Sequence, residues 1–292
     1  MTNQALDELL TLLALEPLDE GLYRGQSTDL GFGAVFGGQV MGQALAAAKY
    51  TLEPDRPVHS FHSYFLRPGD VNKPIIYDVE TIRDGKTTST RRVQALQHGK
   101  PIFYMTASFQ QPVAGFEHQA PMPKIAGPEE IAPESERIKA LAQYLPTSVR
   151  DKWLSSKPIE MRQVNYVNPM QPEKVEPVNY IWLKANGCLP DDPRIHKYLL
   201  AYASDFNFLP TALMPHGRSF WDRELQVATI DHSMWFHQDF RFDDWLLFAI
   251  ESPRAIAGRG LVQGRFYTQD GTLVATAMQE GIIRPRGASA EL

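Results

Sequence analysis

The chain has a single cysteine, Cys188, among its 292 residues, which excludes an intrachain disulfide and a cysteine-based zinc cluster. Cys188 follows an Ala-Asn-Gly sequence typical of a turn, and no histidine stands near it in sequence to activate the thiol. We therefore interpret Cys188 as an unpaired thiol in a reducing compartment and not as a catalytic nucleophile.

The chain also lacks long apolar runs, since none approaches the roughly 18 residues that a helix needs to cross a bilayer. Residues 1–20 have neither the basic start nor the cleavage site of a signal peptide, and the final Ala-Glu-Leu is not the peroxisomal Ser-Lys-Leu signal. Leu6, Leu9, Leu10 and Leu13 share one helical face, which predicts a short amphipathic helix packed on its own domain. We expect a cytoplasmic protein without membrane insertion.

Signatures of several functional classes are missing as well. The formal net charge of -5 argues against a nucleic-acid binder, which usually carries a basic surplus. The sequence contains no Gly-x-Ser-x-Gly elbow, Walker A loop or His-Glu-x-x-His helix. The spacings of His59 with His62 and of His232 with His237 point the two side chains of each pair to opposite faces of a strand. We expect no metal and no cofactor, and interpret most histidines as core or inter-domain hydrogen-bonding groups.

What the chain does have is a faint internal repeat. Its length suggests about two domains of roughly 100–150 residues each, and its 43% hydrophobic content allows substantial cores. Three pairs match in the same order: His62 with His232 at an offset of 170 (232 − 62), Glu80 with Glu251 at 171 (251 − 80), and Gly99 with Gly271 at 172 (271 − 99). The nearly constant offset indicates a duplication.

Each copy predicts a helix and several antiparallel strands. The uncharged, Gly- and Ala-rich residues 37–48 predict a first helix around which a curved sheet can wrap closely. In copy two, Asp192 and Pro193 mark the start of a helix that runs to about Leu213, perturbed at Pro210. Strands are predicted at residues 22–26, 58–66, 75–83, 89–97, 101–110, 161–166, 178–185, 228–237, 246–252, 260–268 and 272–282.

This order of elements predicts an α+β chain of two fused hot-dog domains, with antiparallel sheets each wrapped around a central helix. The predicted boundaries are an N-terminal hot-dog domain at residues 1–115, a proline-rich linker at 116–158, a C-terminal hot-dog domain at 159–286 and a tail at 287–292.

Over nearly its whole length, except the central linker, the sequence resembles the acyl-CoA thioesterase II family of double hot-dog enzymes. The matching stretches are residues 36–45, 59–69, 77–103, 199–205 and 228–237, of which the last is the most distinctive. The resemblance implies hydrolysis of fatty acyl-CoA thioesters, with acyl-CoA as the binding partner. It also implies a homo-oligomer, for which we expect a tetramer.

The family's chemistry rests on an aspartate, a threonine and a glutamine that hold a nucleophilic water. The matching motifs place these residues at Asp205, Thr229 and Gln279. Gln279 ends an apolar row on its predicted strand, and Asp205 stands among apolar neighbours, so each needs a buried partner or a function. Taken alone, each also has an ordinary structural interpretation: a cap at a helix break for Asp205, a plain strand residue for Thr229 and a buried amide for Gln279.

The expected mechanism has Asp205 accepting a proton from a water that Thr229 and Gln279 hold, while backbone amides near Gly37 and Gly38 bind the oxyanion. His59, matched with Thr229 at the offset of 170 (229 − 59), is a secondary candidate that lines or steadies the site. Copy one places Gly37 or a neighbour where copy two has the carboxylate, so we expect one working site per chain.

Two alternatives remain open from the sequence. A hot-dog hydratase or dehydratase acting on acyl thioesters would need an acid–base pair over the acyl α- and β-carbons. A non-catalytic acyl-CoA-binding sensor would bind without turnover. The product distinguishes these alternatives from a thioesterase: a thioesterase releases free thiol, a hydratase or dehydratase alters a double bond, and a sensor does neither.

Overall fold

The structure is a computed structural model that describes residues 3–31, 33–142 and 154–287. Within these residues, two similar α+β units contribute to one antiparallel sheet of 13 strands. Residues 3–31 and 33–110 form the first unit, with two helices and six strands. Its elements are α1 (Gln4–Leu13), β1 (Glu16–Asp19), β2 (Leu22–Gly25), α2 (Gly37–Tyr50), β3 (Val58–Phe65), β4 (Ile75–Asp84), β5 (Thr88–Gln97) and β6 (Lys100–Gln110).

The segment between the units packs along the second unit in the part that is described. It contains a 3-10 turn, Pro128–Glu130, and helix α3, Glu134–Ala142. The indole N–H of Trp182 donates to the carbonyl of Ala126 at 3.0 Å, which ties this segment to the sheet. Residues 143–153 of the predicted linker lie outside the described residues, and the domain boundaries stay a prediction.

Residues 159–287 form the second unit, with one α-helix, one 3-10 helix and seven strands. Its elements are β7 (Ile159–Gln163), β8 (Val178–Ala185), α4 (Pro193–Ala203), the 3-10 helix Leu209–His216, β9 (Leu225–Thr229), β10 (Asp231–Phe236), β11 (Leu246–Ile256), β12 (Arg259–Thr268) and β13 (Leu273–Pro285). The predicted helices all occur and most predicted strands are confirmed, although the helix that begins at Pro193 is shorter than predicted.

Helix α1 bears out the interpretation of its leucine pattern. Leu6, Leu9 and Leu13 are buried in the core, and Asn3 caps the helix by accepting from the Ala5 N–H at 3.0 Å. The apolar face thus packs on the chain's own domain. In residues 3–31, 33–142 and 154–287, no helix has the length and apolar character needed to cross a membrane.

Helix α2 is buried along most of its length, and its small residues bring it close to α4. A Cβ on Gly42 would lie 3.2 Å from the carbonyl oxygen of Tyr198, and one on Gly38 would lie 2.2 Å from that of Tyr202. The two central helices therefore pack with their backbones close together, which side chains at these two positions would prevent.

The two units join through β3 and β10, which pair antiparallel with Ser63 opposite His232 and Phe61 opposite Met234. The strand order is β1-β2-β4-β5-β6-β3-β10-β13-β12-β11-β8-β7, and β9 also pairs with β13. Buried side chains from both units form one continuous core at this junction. Groups from both units therefore meet beneath the central strands.

The helix that begins at Pro193 is shorter than predicted, and this prediction was wrong. Helix α4 ends at Ala203 and not near Leu213, and the 3-10 helix follows only at Leu209. Asn207 adopts a left-handed conformation with φ of 55°, and Pro210 has no amide hydrogen, so an α-helix cannot continue. The break leaves Asp205 in a turn between the two helices.

The single strand predicted at residues 228–237 is divided at Ile230 into β9 and β10. Thr229 lies opposite Gly281 and Ser233 opposite Met278, so four steps along β9 and β10 correspond to three steps along β13. One extra residue is therefore accommodated near Ile230, in the manner of a β-bulge. Thr229 ends its strand at this irregularity.

The pairing also corrects the repeat offset near the junction. Thr229 lies opposite Gly281, and Val58 lies opposite Phe109 in the equivalent pair of the first unit. The offsets are then 171 (229 − 58) and 172 (281 − 109), and not 170. Val58, and not His59, is the structural counterpart of Thr229.

Candidate active site

Asp205 lies in the turn after α4 and reaches toward the N-terminus of α2. Its Oδ2 accepts a hydrogen bond from the backbone N–H of Gly38 at 3.1 Å, and its Oδ1 accepts one from Nε2 of Gln279 at 3.3 Å. The carboxylate is half-buried and opens onto a cavity. An anion at a helix N-terminus is favourable because the N–H groups and the helix dipole face it.

Gln279 links the other two predicted residues. It lies on the inward face of β13, in line with Ala275 and Ala277, and is 1% exposed. Its Nε2 donates to Thr229 Oγ1 at 2.6 Å as well as to Asp205. The structure therefore brings Asp205, Thr229 and Gln279 into one hydrogen-bonded group, which we call the polar trio.

Burial raises the pKa of Asp205 from 3.8 to about 6. The hydrogen bonds from Gln279 and from the Gly38 N–H favour the carboxylate and offset part of this effect. The result is a carboxyl group that is ionised at neutral pH yet more basic than an exposed aspartate. That combination suits a general base that works near pH 7.

The polar trio lies on the wall of a cavity of about 420 Å³. Most of the surrounding side chains are apolar, and they come from the loop before α2, from β7, β8 and β9, and from the region after α4. They include Phe36, Met161, Ile181, Phe206, Leu209 and Met214. A mainly apolar cavity with a few converging polar groups is the usual form of a small-molecule site.

Gly37 and Gly38 both lie at the site, but their backbone N–H groups differ in their partners. The Gly38 N–H is engaged by Asp205, whereas the Gly37 N–H has no hydrogen-bond partner among the described residues, and Gly37 lines the cavity. A Cβ on Gly37 would lie 2.7 Å from Oδ2 of Asp205. Gly37 opens α2 while Asp205 follows α4, so the two are neighbours across the units and not counterparts in the repeat.

His59 is not brought to the polar trio. It lies on β3, where its Nε2 is 2.8 Å from Oγ of Ser108, and it is not among the residues that line the cavity. Burial lowers the pKa of His59.

The structure adds two buried residues, His232 and Ser204, that the sequence reasoning did not place at the site. His232 is 0% exposed, and its ring lies between Oε1 of Gln279 and Oγ of Ser204, 3.1 Å from each. Burial lowers the pKa of His232 to about 4. Its interpretation as a core hydrogen-bonding histidine is confirmed. The sequence feature that could have placed His232 at the site is its position within the distinctive motif at residues 228–237.

Comparison with known proteins finds relatives over almost the whole chain. A family model described as acyl-CoA thioesterase matches residues 148–282, and one described as acyl-CoA thioesterase N-terminal domain matches residues 26–110. Acyl-CoA thioesterase 2 of Haemophilus influenzae is 48% identical over 282 residues, which cover 97% of this chain and 99% of the relative. Human acyl-coenzyme A thioesterase 8 is 43% identical over 286 residues, covering 94% and 88%.

Solved structures agree with these relatives. An acyl-CoA thioesterase II of Mycobacterium marinum, TesB2, superposes with a TM-score of 0.78 at 38% identity, covering 96% of this chain and 99% of that one. A hot-dog protein of Alicyclobacillus acidocaldarius superposes with a TM-score of 0.75 at 20% identity, covering 97% of this chain and 99% of that one. At this identity the likeness bears on the fold alone. With the antiparallel sheet and its central helices, these likenesses confirm two fused hot-dog domains.

Proposed function

The chain belongs to the acyl-CoA thioesterase family and hydrolyses acyl-CoA thioesters, and we propose that it does so with a water molecule held by Asp205, Thr229 and Gln279. The observation that carries the proposal is the polar trio itself, three hydrogen-bonded polar groups on the wall of an apolar cavity. We propose fatty acyl chains as the acyl part, because the cavity beside the trio is mostly apolar.

In the proposed reaction, Asp205 accepts a proton from the water as the water's oxygen attacks the thioester carbonyl. Thr229 Oγ1 already accepts a hydrogen bond from Gln279, which leaves its own hydroxyl hydrogen free to orient the nucleophile. The raised pKa of Asp205, about 6, supports this role, because the group is both ionised and basic at neutral pH.

The attack forms a tetrahedral intermediate whose negative oxygen needs a donor. We propose the Gly37 N–H, which is free of partners among the described residues and lies at the N-terminus of α2 on the cavity wall. The Gly38 N–H serves Asp205 instead. Collapse of the intermediate breaks the C–S bond, and the leaving thiolate needs little acid assistance because thiols have a pKa near about 8.5.

We propose one working site per chain. With the corrected offsets, Val58 stands where the second unit has Thr229, and Ala107 stands where it has Gln279 (279 − 107 = 172). Neither replacement carries a polar group that could hold a water. The first unit contributes Gly37 and Gly38 to the site of the second unit instead.

A homo-oligomer, with a tetramer as the expected size, and a cytoplasmic location belong to the proposal too. The exposed outer face of the central strands supports association, since Tyr64 on β3 is 57% exposed beside His62 and Trp235. Light scattering on the purified protein tests the size, and a monomer would remove this part of the proposal.

The test is thiol release from a medium-chain and a long-chain acyl-CoA, comparing the parent with Asp205→Asn. Both proteins carry Cys188→Ser, because the exposed thiol of Cys188 would react with the detection reagent. Loss of a general base typically lowers the rate about 10²- to 10⁴-fold, which is the expected fall. Equal release by both proteins would refute the role of Asp205. An altered double bond without thiol release would favour the hydratase alternative, and binding without turnover the sensor.

A further inference from the structure

His232 is a buried titratable group that the proposed reaction does not use, yet it contacts the polar trio directly. Its Nδ1 lies 3.1 Å from Oε1 of Gln279, and its Nε2 lies 3.1 Å from Oγ of Ser204. The ring is 0% exposed. It lies against Phe61 from the first unit and Phe208 from the second, at centroid distances of 6.1 and 5.6 Å. The ring is therefore confined by packing as well as by hydrogen bonds.

We propose that His232, held by the hydroxyl group of Ser204, is a positioning residue that keeps the carboxamide nitrogen of Gln279 turned toward Asp205 and Thr229. This inference rests on the proposed function of the polar trio. It assigns His232 no contact with the substrate.

The orientation of the Gln279 carboxamide needs such a device because packing alone cannot select it. The oxygen and nitrogen ends of a carboxamide have nearly the same shape, and only hydrogen bonds distinguish them. If the group were reversed, Oε1 would face the carboxylate of Asp205, and two acceptors would oppose each other. Asp205 and Thr229 would then lose the donor that fixes their positions, and the nucleophilic water that they hold would lose its orientation.

The hydrogen bonds determine which ring nitrogen must carry the hydrogen. Nε2 of Gln279 donates to Asp205 and Thr229, so Oε1 faces His232 and can only accept. His232 is neutral at pH 7 because burial lowers its pKa to about 4, and a neutral ring has one hydrogen. That hydrogen must be on Nδ1, which leaves Nε2 as an acceptor.

Ser204 completes the arrangement. Its Oγ lies 3.1 Å from Nε2 of His232 and 2.9 Å from the carbonyl of Ala201, and its single hydrogen serves one acceptor at a time. With Nε2 unprotonated, the hydroxyl donates to the ring. The donor chain therefore runs from Ser204 to His232, then to Gln279, and ends on Asp205 and Thr229.

The first test reads the tautomer of His232 directly. The full-length protein, labelled with ¹⁵N-histidine, is examined by NMR at pH 8, where Asp205 is ionised. The signal of His232 is assigned by its loss in His232→Asn. We expect a hydrogen on Nδ1 and an unprotonated Nε2. A hydrogen on Nε2, or a charged ring, would overturn the inference whether or not the chemistry of Asp205 is correct.

The second test compares two substitutions of His232 whose amide nitrogens each take the position of a different nitrogen of the imidazole ring. His232→Asn places an amide nitrogen at the position of Nδ1 and can still donate to Gln279. His232→Gln places its amide nitrogen at the position of Nε2, near Ser204, and cannot. We expect His232→Asn to retain kcat within about tenfold, and His232→Gln to lose about 10²-fold in kcat with little change in KM, because a small misplacement of a reacting group has effects of this size.

The pH profile separates positioning from general loosening. The hydrogen bond from Gln279 lowers the pKa of Asp205, so a carboxamide free to reverse should shift the acid limb of kcat to higher pH in His232→Gln but not in His232→Asn. The matched control is His62→Gln, which should leave activity unchanged, since His62 is exposed and contacts the Ser233 hydroxyl and the edge of Trp235, not the polar trio.

Equal losses in both His232 variants with an unmoved acid limb would show a merely structural role and refute the proposal. If both variants failed to fold, the signal of His232 would be assigned through bonds from its own backbone, and the tautomer of the unmodified protein would decide alone. An inactive Asp205→Asn together with fully active His232 variants would leave the proposed function intact and remove only this inference.

Discussion

The backbone N–H of Gly38 donates to Oδ2 of Asp205 at 3.1 Å, across 167 positions of the chain. Gly38 is in the first turn of α2 in the first unit, and Asp205 follows α4 in the second. The contact forms because α2 and α4 approach closely, which the absence of a side chain at Gly38 permits. The polar trio belongs to one unit, but its carboxylate is oriented by the other, so neither unit alone contains the complete site.

The pH dependence of kcat/KM should follow the ionisation of Asp205. Burial raises the pKa of this group to about 6, and only the ionised form can accept a proton from water. We expect activity to be constant well above pH 6 and to fall about tenfold per pH unit below it. Initial rates measured from pH 4.5 to 8.5 check this. If kcat/KM fell only near pH 4, the essential carboxyl group would have the pKa of an ordinary exposed aspartate, which would contradict this prediction.

The ionisation of Asp205 should change stability and activity in opposite directions: as the pH rises, kcat/KM increases and the free energy of unfolding decreases. The pKa of Asp205 is higher in the folded protein, about 6, than its ordinary value of 3.8, so the folded state loses stability as pH rises through this window. Asp205→Asn removes that penalty and should raise the free energy of unfolding at pH 8 by roughly 1–3 kcal/mol, with the gain shrinking toward pH 4. Thermal unfolding at both pH values measures it. A gain independent of pH would contradict the assignment.

The sequence predicted the fold well because its signals were local. The turn glycines, the Gly- and Ala-rich α2 and the Asp192-Pro193 helix start each specify a structure within a few residues. The end of α4 was missed because apolar residues continue at helical spacing past Ala203, at Phe206, Leu209 and Leu213. The break depends on the left-handed Asn207, a conformation that sequence does not dictate.

The site was predicted through motifs and could not have been assembled from local patterns. Asp205, Thr229 and Gln279 lie on a turn and two strands whose proximity depends on the sheet register. A one-residue error in the repeat offset was enough to match His59 with Thr229, because the sequence match of His62 with His232 set the offset at 170, whereas the strand pairing gives 171 on both sides of the irregularity near Ile230. The contact of His232 with Gln279 was not predicted, because a buried histidine looks the same in sequence whether it supports a core or orients a neighbouring group.

Thr229 should be needed for its hydroxyl and not for its shape. Thr229→Val keeps the size of the side chain but removes the hydroxyl group that accepts from Gln279, which we propose also orients the water. We expect kcat to fall about 10- to 10²-fold, as is usual when a group that fixes the nucleophile is lost. Thr229→Ser restores the hydroxyl and should recover most of the activity. Equal rates for the Val and Ser variants would contradict the role.

Gly38 should tolerate no side chain. In Gly38→Ala the Cβ would lie 2.2 Å from the carbonyl oxygen of Tyr202, so α2 and α4 would have to separate. We expect a loss of about 1–3 kcal/mol in the free energy of unfolding, as overpacking usually causes, together with lower kcat because the N–H would move away from Asp205. Gly115→Ala, where a Cβ meets nothing within 4 Å, is the matched control. Denaturant titrations and rates of both variants compare the two sites.

The apolar cavity should set the length of acyl chain that the enzyme accepts. Met161 on β7 lines the cavity, so Met161→Trp would fill part of its volume of about 420 Å³ while all three residues of the polar trio are kept. We expect kcat/KM for a long-chain acyl-CoA to fall while that for a short-chain acyl-CoA is retained, because the chemistry is unchanged and only the space for the chain is lost. Ile82→Trp, at an exposed position on β4 that does not line the cavity, controls for the added indole.

The ratio of the two kcat/KM values is the quantity to compare, since it is insensitive to a general loss of active protein. Overpacking by the indole would cost about 1–3 kcal/mol of stability, and would lower both rates equally if it acted only through unfolding. A ratio that changes in Met161→Trp but not in Ile82→Trp therefore places the acyl chain in this cavity. An unchanged ratio in both variants would mean that the chain binds elsewhere, with Asp205 approached from another side.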